Sequence, residues 1–198
     1  MIKRKLIHPR KVYWVMTDFI NKIHDLTYEE WIVPCKVKED ETIEEFMERF
    51  CNATTELIPC VGKVQKGFKS CTRRMSDEDT EFFIWINIEE EWSKGSRQFT
   101  KDITERCPLT KGFASITLTL LHELGHLSSQ QDFDGYDRFE ELEKIDKLPK
   151  WERNPAYFKL PDEKAATDWA IGWLQNPDNR KIAKAFEKEF FKCFEKRG

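Results

Sequence analysis

The stretch from Gly112 to Gln130, GFASITLTLLHELGHLSSQ, constrains this chain more than any other. Within it His122-Glu123-Leu124-Gly125-His126 spells the H-E-x-x-H pattern. Histidines four apart on an α-helix stand one above the other on a single face, so their ring nitrogens converge on one point. Glu123 lies about 100° round the helix, where it can handle a water held at that point rather than the point itself. Phe113, Ile116, Leu120, Leu124 and Leu127 recur every three or four residues and, with Leu121, form a broad apolar face. The pattern predicts a buried helix carrying a metal-binding pair. Zinc is the expected ion, because catalytic zinc takes three protein ligands and leaves a fourth position for water. The bland alternative is a helix that has lost its metal and keeps the motif as core.

Composition narrows the setting. The 198 residues are enough for one domain with a sizeable core, and 15 Phe with 7 Trp favour dense packing over disorder. A net charge of −3 gives no basic footprint for nucleic acid, and the Lys-rich C-terminal stretch is interrupted by Glu. Cys35, Cys51, Cys60, Cys71, Cys107 and Cys193 lack C-x-x-C spacing and read as free thiols rather than a disulfide frame. The basic N-terminus is broken by His8-Pro9-Arg10-Lys11 and Asp18, so no signal-peptide core is expected there. No apolar run is long enough to span a bilayer. A cytoplasmic protein without membrane attachment is the expectation. No repeat or linker divides the chain, which predicts one domain over residues 1–198, with a helical part over about 1–56 and a site-bearing core over about 57–198.

Along the chain, Val12, Val15, Met16, Phe19 and Ile23 predict a helix from Arg10 to Leu26, and Thr42-Ile43-Glu44-Glu45 opens a second as a capping box. Leu57 to Val64 reads as a strand, 67–79 as loop or ragged hairpin, and Glu81 to Ile88 as the best strand in the chain. Ser93 to Leu109 reads as a polar loop over a cleft. Residues 131–160 read as a looped excursion holding one short helix at Arg138 to Lys147. Pro161-Asp162-Glu163 opens a helix that Asn176-Pro177 stops, and Ile182, Phe186, Phe190 and Phe194 line a last helix from Asp178 to Lys196.

The third ligand is approached by elimination. The histidines are His8, His24, His122 and His126, so a downstream ligand has to be a carboxylate. Asp132 stands six after His126, where metzincin-type enzymes place theirs, but Ser129 replaces the turn glycine and every Met lies upstream. Glu163 begins E-K-A-A-T-D-W-A, where small Ala165 and Ala166 let a second helix approach closely and complete a His-His-Glu set. Glu163 is favoured, with capping of its own helix as the competing use. Tyr157 and Tyr136 lie between the two motifs and are candidate donors to an oxyanion, with simple packing as the alternative.

These motifs resemble the ImmA/IrrE-type metallopeptidases of bacteria and phages, whose pattern is H-E-L-G-H followed by E-x-x-A-[ND]-x-F-A on a second helix. His122 to His126 match in full, Glu163, Ala166 and Ala170 fall on the family positions, and Trp169 replaces the usual Phe. Thr167 stands where Asn or Asp is usual, and Asp168 is one residue late, which opens the question of what partners a zinc histidine. The likeness covers about 60 residues, from Ile116 to Leu174. It implies a single-domain, gluzincin-like α+β fold, with a small, mostly antiparallel sheet packed on the active-site helix and additional helices at both ends. The strand Glu81 to Ile88 would be the edge that binds an extended peptide. The implied activity is zinc-dependent hydrolysis of a protein substrate, such as a transcriptional repressor, with zinc on His122, His126 and Glu163 and Glu123 as general base. A silent zincin-fold regulator or inhibitor acting by protein–protein binding is the competing reading. The intact Glu123 weighs against it.

Overall fold

The computed structural model describes residues 4–6, 8–24, 58–62, 71–74, 82–87, 94–129, 133 and 135–196. In chain order the described elements are β1 (Arg4–Leu6), α1 (Pro9–His24), β2 (Ile58–Gly62), β3 (Cys71–Arg74), β4 (Phe82–Asn87), α2 (Lys94–Arg106), a 3-10 turn (Pro108–Thr110), α3 (Ser115–Ser128), α4 (Arg138–Asp146), α5 (Lys150–Tyr157), α6 (Pro161–Gln175), α7 (Pro177–Phe191) and β5 (Phe194–Lys196).

Helices dominate the described residues, and this overturns the expected α+β fold with a small, mostly antiparallel sheet. The strands are three to six residues long and fall into two separate pieces. One piece pairs β1 antiparallel with β5. The other has the order β2-β4-β3, with β2 parallel and β3 antiparallel to β4. The strand expected at the edge therefore sits in the middle. Both sides of Phe82–Asn87 are paired, so the described part of that stretch offers no free edge to a peptide.

The excess of helix has a local cause. The polar stretch from Ser93 to Leu109, expected to be a loop, forms α2, in which Phe99 and Ile103 are one turn apart and Ile103 is buried. Part of the excursion expected to be looped forms α5, despite its internal Pro155. In α2 the apolar stripe is narrow on an otherwise charged cylinder, and that signal is easily lost in composition. The last helix stops sooner than expected, at Phe191, and Phe194 joins β5. The second predicted helix, opening at Thr42, lies outside the described residues.

α3 forms the centre. Every residue from Ile116 to Gly125 is buried, so this helix is enclosed on all faces. Its neighbours are α6, α2, α7, β3 and β4. Ala114 cannot cap its N-terminus with a side chain, and Glu187 of α7 does so instead. The Glu187 Oε1 accepts from the Ala114 backbone N–H at 2.5 Å and from the Thr117 hydroxyl at 2.8 Å. A carboxylate there satisfies otherwise orphaned donors and meets the positive end of the helix dipole. One residue earlier in α7, Phe186 stacks on Phe19 of α1 with ring centroids 4.3 Å apart. Cys107 and Cys193 are buried free thiols. No helix among the described residues is long and apolar enough to cross a membrane.

Candidate metal centre

The site is built where α3 crosses α6. A Cβ placed on Gly125 would stand 2.3 Å from the Ala166 carbonyl oxygen and 2.9 Å from its carbonyl carbon and Cα. The two backbones touch here, which only glycine on one side and a small residue on the other permit. This contact brings Glu163, one turn before Ala166 on α6, under the histidine face of α3. Pro161 at the start of α6 and the acids Asp162 and Glu163 in its first turn suit a helix N-terminus, so the carboxylate belongs to a well-formed end.

The Glu163 Oε2 lies 3.1 Å from His122 Nε2 and 3.6 Å from His126 Nε2. Donor atoms of all three residues lie within 4.8 Å of one another. Tetrahedral bonds of about 2.0–2.2 Å would separate neighbouring ligand atoms by about 3.3–3.6 Å. The donor set therefore fits one ion with small adjustment.

Thr167 sharpens the fit. Its hydroxyl donates to the Glu163 carbonyl at 2.9 Å and stands 3.1 Å from His122 Nδ1. A threonine has one hydroxyl proton, so toward His122 it accepts, and Nδ1 carries the ring's N–H. In a neutral ring with that tautomer, Nε2 turns a lone pair toward the Glu163 carboxylate across 3.1 Å. Two acceptors this close call for a cation between them, either a proton or a metal. Thr167 thus does the work for which Asn or Asp was expected at this position. Asp168 does not: it lies at the surface, paired with Arg106 and with Lys164.

Electrostatics follow from burial. Glu163 is 1% exposed. Burial alone would raise its pKa, but hydrogen bonds to His122 and His126 and their charge hold the carboxyl far below the usual range. Burial lowers His126, and the hydrogen bond and charge of Glu163 together with the charge of Glu123 more than reverse this, leaving it raised. Glu123 is itself buried, and its charge is felt by His126 and by Tyr157.

Tyr157 reaches the site, where its hydroxyl accepts from Arg138 Nη2 at 3.2 Å. Its pKa is pushed far up by burial and then by the charge of Glu163 and a hydrogen bond to it, so it stays a protonated phenol. Tyr136 donates to Asp162, the neighbour of Glu163, at 2.6 Å. Asp132 lies outside the described residues. Two contributors were missed. Arg138 donates to Glu163 Oε1 at 2.8 Å and also pairs with Asp162. Phe99 meets the His122 ring edge-on at 5.3 Å and stacks on Phe158, walling the site from the α2 side. The four-residue spacing of Phe99 and Ile103 was the available signal for α2; nothing in the local sequence marked Arg138. Comparison with family models, with curated proteins and with solved structures finds no match.

Proposed function

We propose that this chain is a zinc metallopeptidase that hydrolyses peptide bonds in a protein substrate. The observation that carries the reading is the meeting of His122, His126 and Glu163 at separations suited to one tetrahedral ion. Bound there, zinc supplies an acidified water and polarises a carbonyl. Thr167 fixes the tautomer and rotation of His122, so that Nε2 faces the ion. Glu123 accepts a proton as water attacks the scissile carbonyl and returns it to the leaving amine nitrogen. Tyr157, kept protonated by its surroundings, is assigned as a donor to the charge that grows on the carbonyl oxygen. The H-E-L-G-H and E-x-x-A resemblance to ImmA/IrrE-type peptidases supports the same chemistry and a regulatory protein, such as a repressor, as substrate. A cytoplasmic location accords with that substrate.

Metal analysis of the purified chain, paired with proteolysis by the wild type and by Glu123→Gln, tests the reading. One zinc per chain, with cleavage lost in the variant, is the expected result. Zinc without cleavage in either form would leave a binding protein in place of an enzyme, and no zinc would remove the site.

A further inference from the structure

A carboxylate ligand has two oxygens, and whether one or both meet the ion decides how many positions remain for water. Here the two oxygens of Glu163 face different partners. Oε2 faces the histidines at 3.1 and 3.6 Å, and Oε1 accepts from Arg138 Nη2 at 2.8 Å. We propose that Arg138 is a positioning residue that restrains Glu163 to one-oxygen ligation, so that the fourth coordination position stays open. This rests on the metal reading of the site and goes beyond it.

The guanidinium is itself braced. Arg138 is the first residue of α4, whose N-terminus is capped by Asp137 through the N–H groups of Phe139 and Glu140. Its Nη1 pairs with Asp162, the neighbour of Glu163 in the chain. Tyr136 donates to the other Asp162 oxygen, Oδ1, at 2.6 Å. The Tyr157 hydroxyl accepts from Nη2 at 3.2 Å. A planar fork with fixed N–H directions spans two adjacent carboxylates in a way that a single ammonium cannot. Asp162 offsets part of the Arg138 charge, which still reaches His126 and Tyr157. The fork itself acts on the direction of Glu163. Freed from the fork, Oε1 would turn toward the ion, raise its coordination number and compete with water.

Cobalt(II) reports this directly, because four-coordinate cobalt absorbs visible light much more strongly than five- or six-coordinate cobalt. The full chain would be loaded with Co²⁺ as wild type, Arg138→Met and Arg138→Lys, with folding checked by circular dichroism. The wild type is expected to give the intense four-coordinate spectrum. Arg138→Met should bind Co²⁺ but lose several-fold in absorption, and the pH at which the bound water ionises should rise. Arg138→Lys, which still offers Oε1 a donor, should recover part of the wild-type spectrum. An unchanged spectrum in a folded Arg138→Met chain overturns the clamp while leaving the metal site standing. Failure of the wild type to bind Co²⁺ overturns the metal reading and the clamp with it. If Arg138→Met does not fold, Asp162→Asn is read instead: a weaker shift in the same direction supports the clamp, and no shift overturns it.

Discussion

Replacing Gly125 by Ala adds one methyl group, and the structure says where it must go. The new Cβ would lie 2.3 Å from the Ala166 carbonyl oxygen, with two more backbone atoms of Ala166 at 2.9 Å. An ordinary carbon–oxygen contact is over 3 Å, so α3 and α6 must separate by about 1 Å. No side chain can yield, because the obstacle is helix backbone. Overpacking of this kind costs about 1–3 kcal/mol, partly offset by about 1 kcal/mol of helix propensity gained on replacing Gly with Ala. The net loss of stability is about 2 kcal/mol at most, equivalent to a fall in Tm of up to about 8 °C. The effect on the metal should be larger. Glu163 rides on α6 and the histidines on α3, so separations of 3.1 and 3.6 Å would open beyond a single ion's reach. Gly172 supplies the control: it is exposed on α6, and a Cβ there meets nothing within 4 Å. Gly172→Ala should raise stability by about 0.5–1 kcal/mol and leave zinc affinity alone. Thermal unfolding without metal and zinc titration against a chelator would measure both quantities. Equal stability and equal zinc affinity for the two variants would refute the close crossing as the device that assembles the site.

Two further substitutions probe what supports the centre. Thr167→Val keeps the shape but leaves the buried His122 Nδ1–H without a partner, which should cost about 1–3 kcal/mol and lower zinc affinity about 10–100-fold, with Thr167→Ser restoring much of both in a titration. Glu187→Ala removes the cap of α3 and the two bonds it accepts there, so stability measured in urea should fall by about 1.5–3 kcal/mol, with an unchanged midpoint counting against the cap.

The helices that carry the site were legible because their signals are local. H-E-L-G-H with its apolar spacing marks α3 by itself, and Pro161-Asp162-Glu163 with Asn176-Pro177 brackets α6 as Pro161–Gln175. The fold class was not legible, because it depends on which elements dominate and how the strands pair. Phe82–Asn87 reads as a strand from its residues, but nothing within those residues says whether it lies at an edge or in the middle. The helix α2 was hidden by its polarity: Ile103 is buried, while most of the surrounding side chains are charged or hydroxylic.

Within the site, the limit of the sequence falls between ligands and their supports. A metal ligand is restricted to a few residue types, so with four histidines in the chain the search for a third ligand was short. A supporting residue needs only a donor or acceptor at the right place, and most polar side chains qualify. Thr167 departs from the Asn or Asp expected at its position, yet its hydroxyl reaches His122 Nδ1 because α6 is held against α3 at Gly125. A short side chain suffices where the backbones touch. Arg138 stands 25 residues before Glu163 and meets it only because α4 begins beside the first turn of α6. Its role follows from a crossing of elements rather than from any pattern of residues, and so it becomes visible only once the chain is folded.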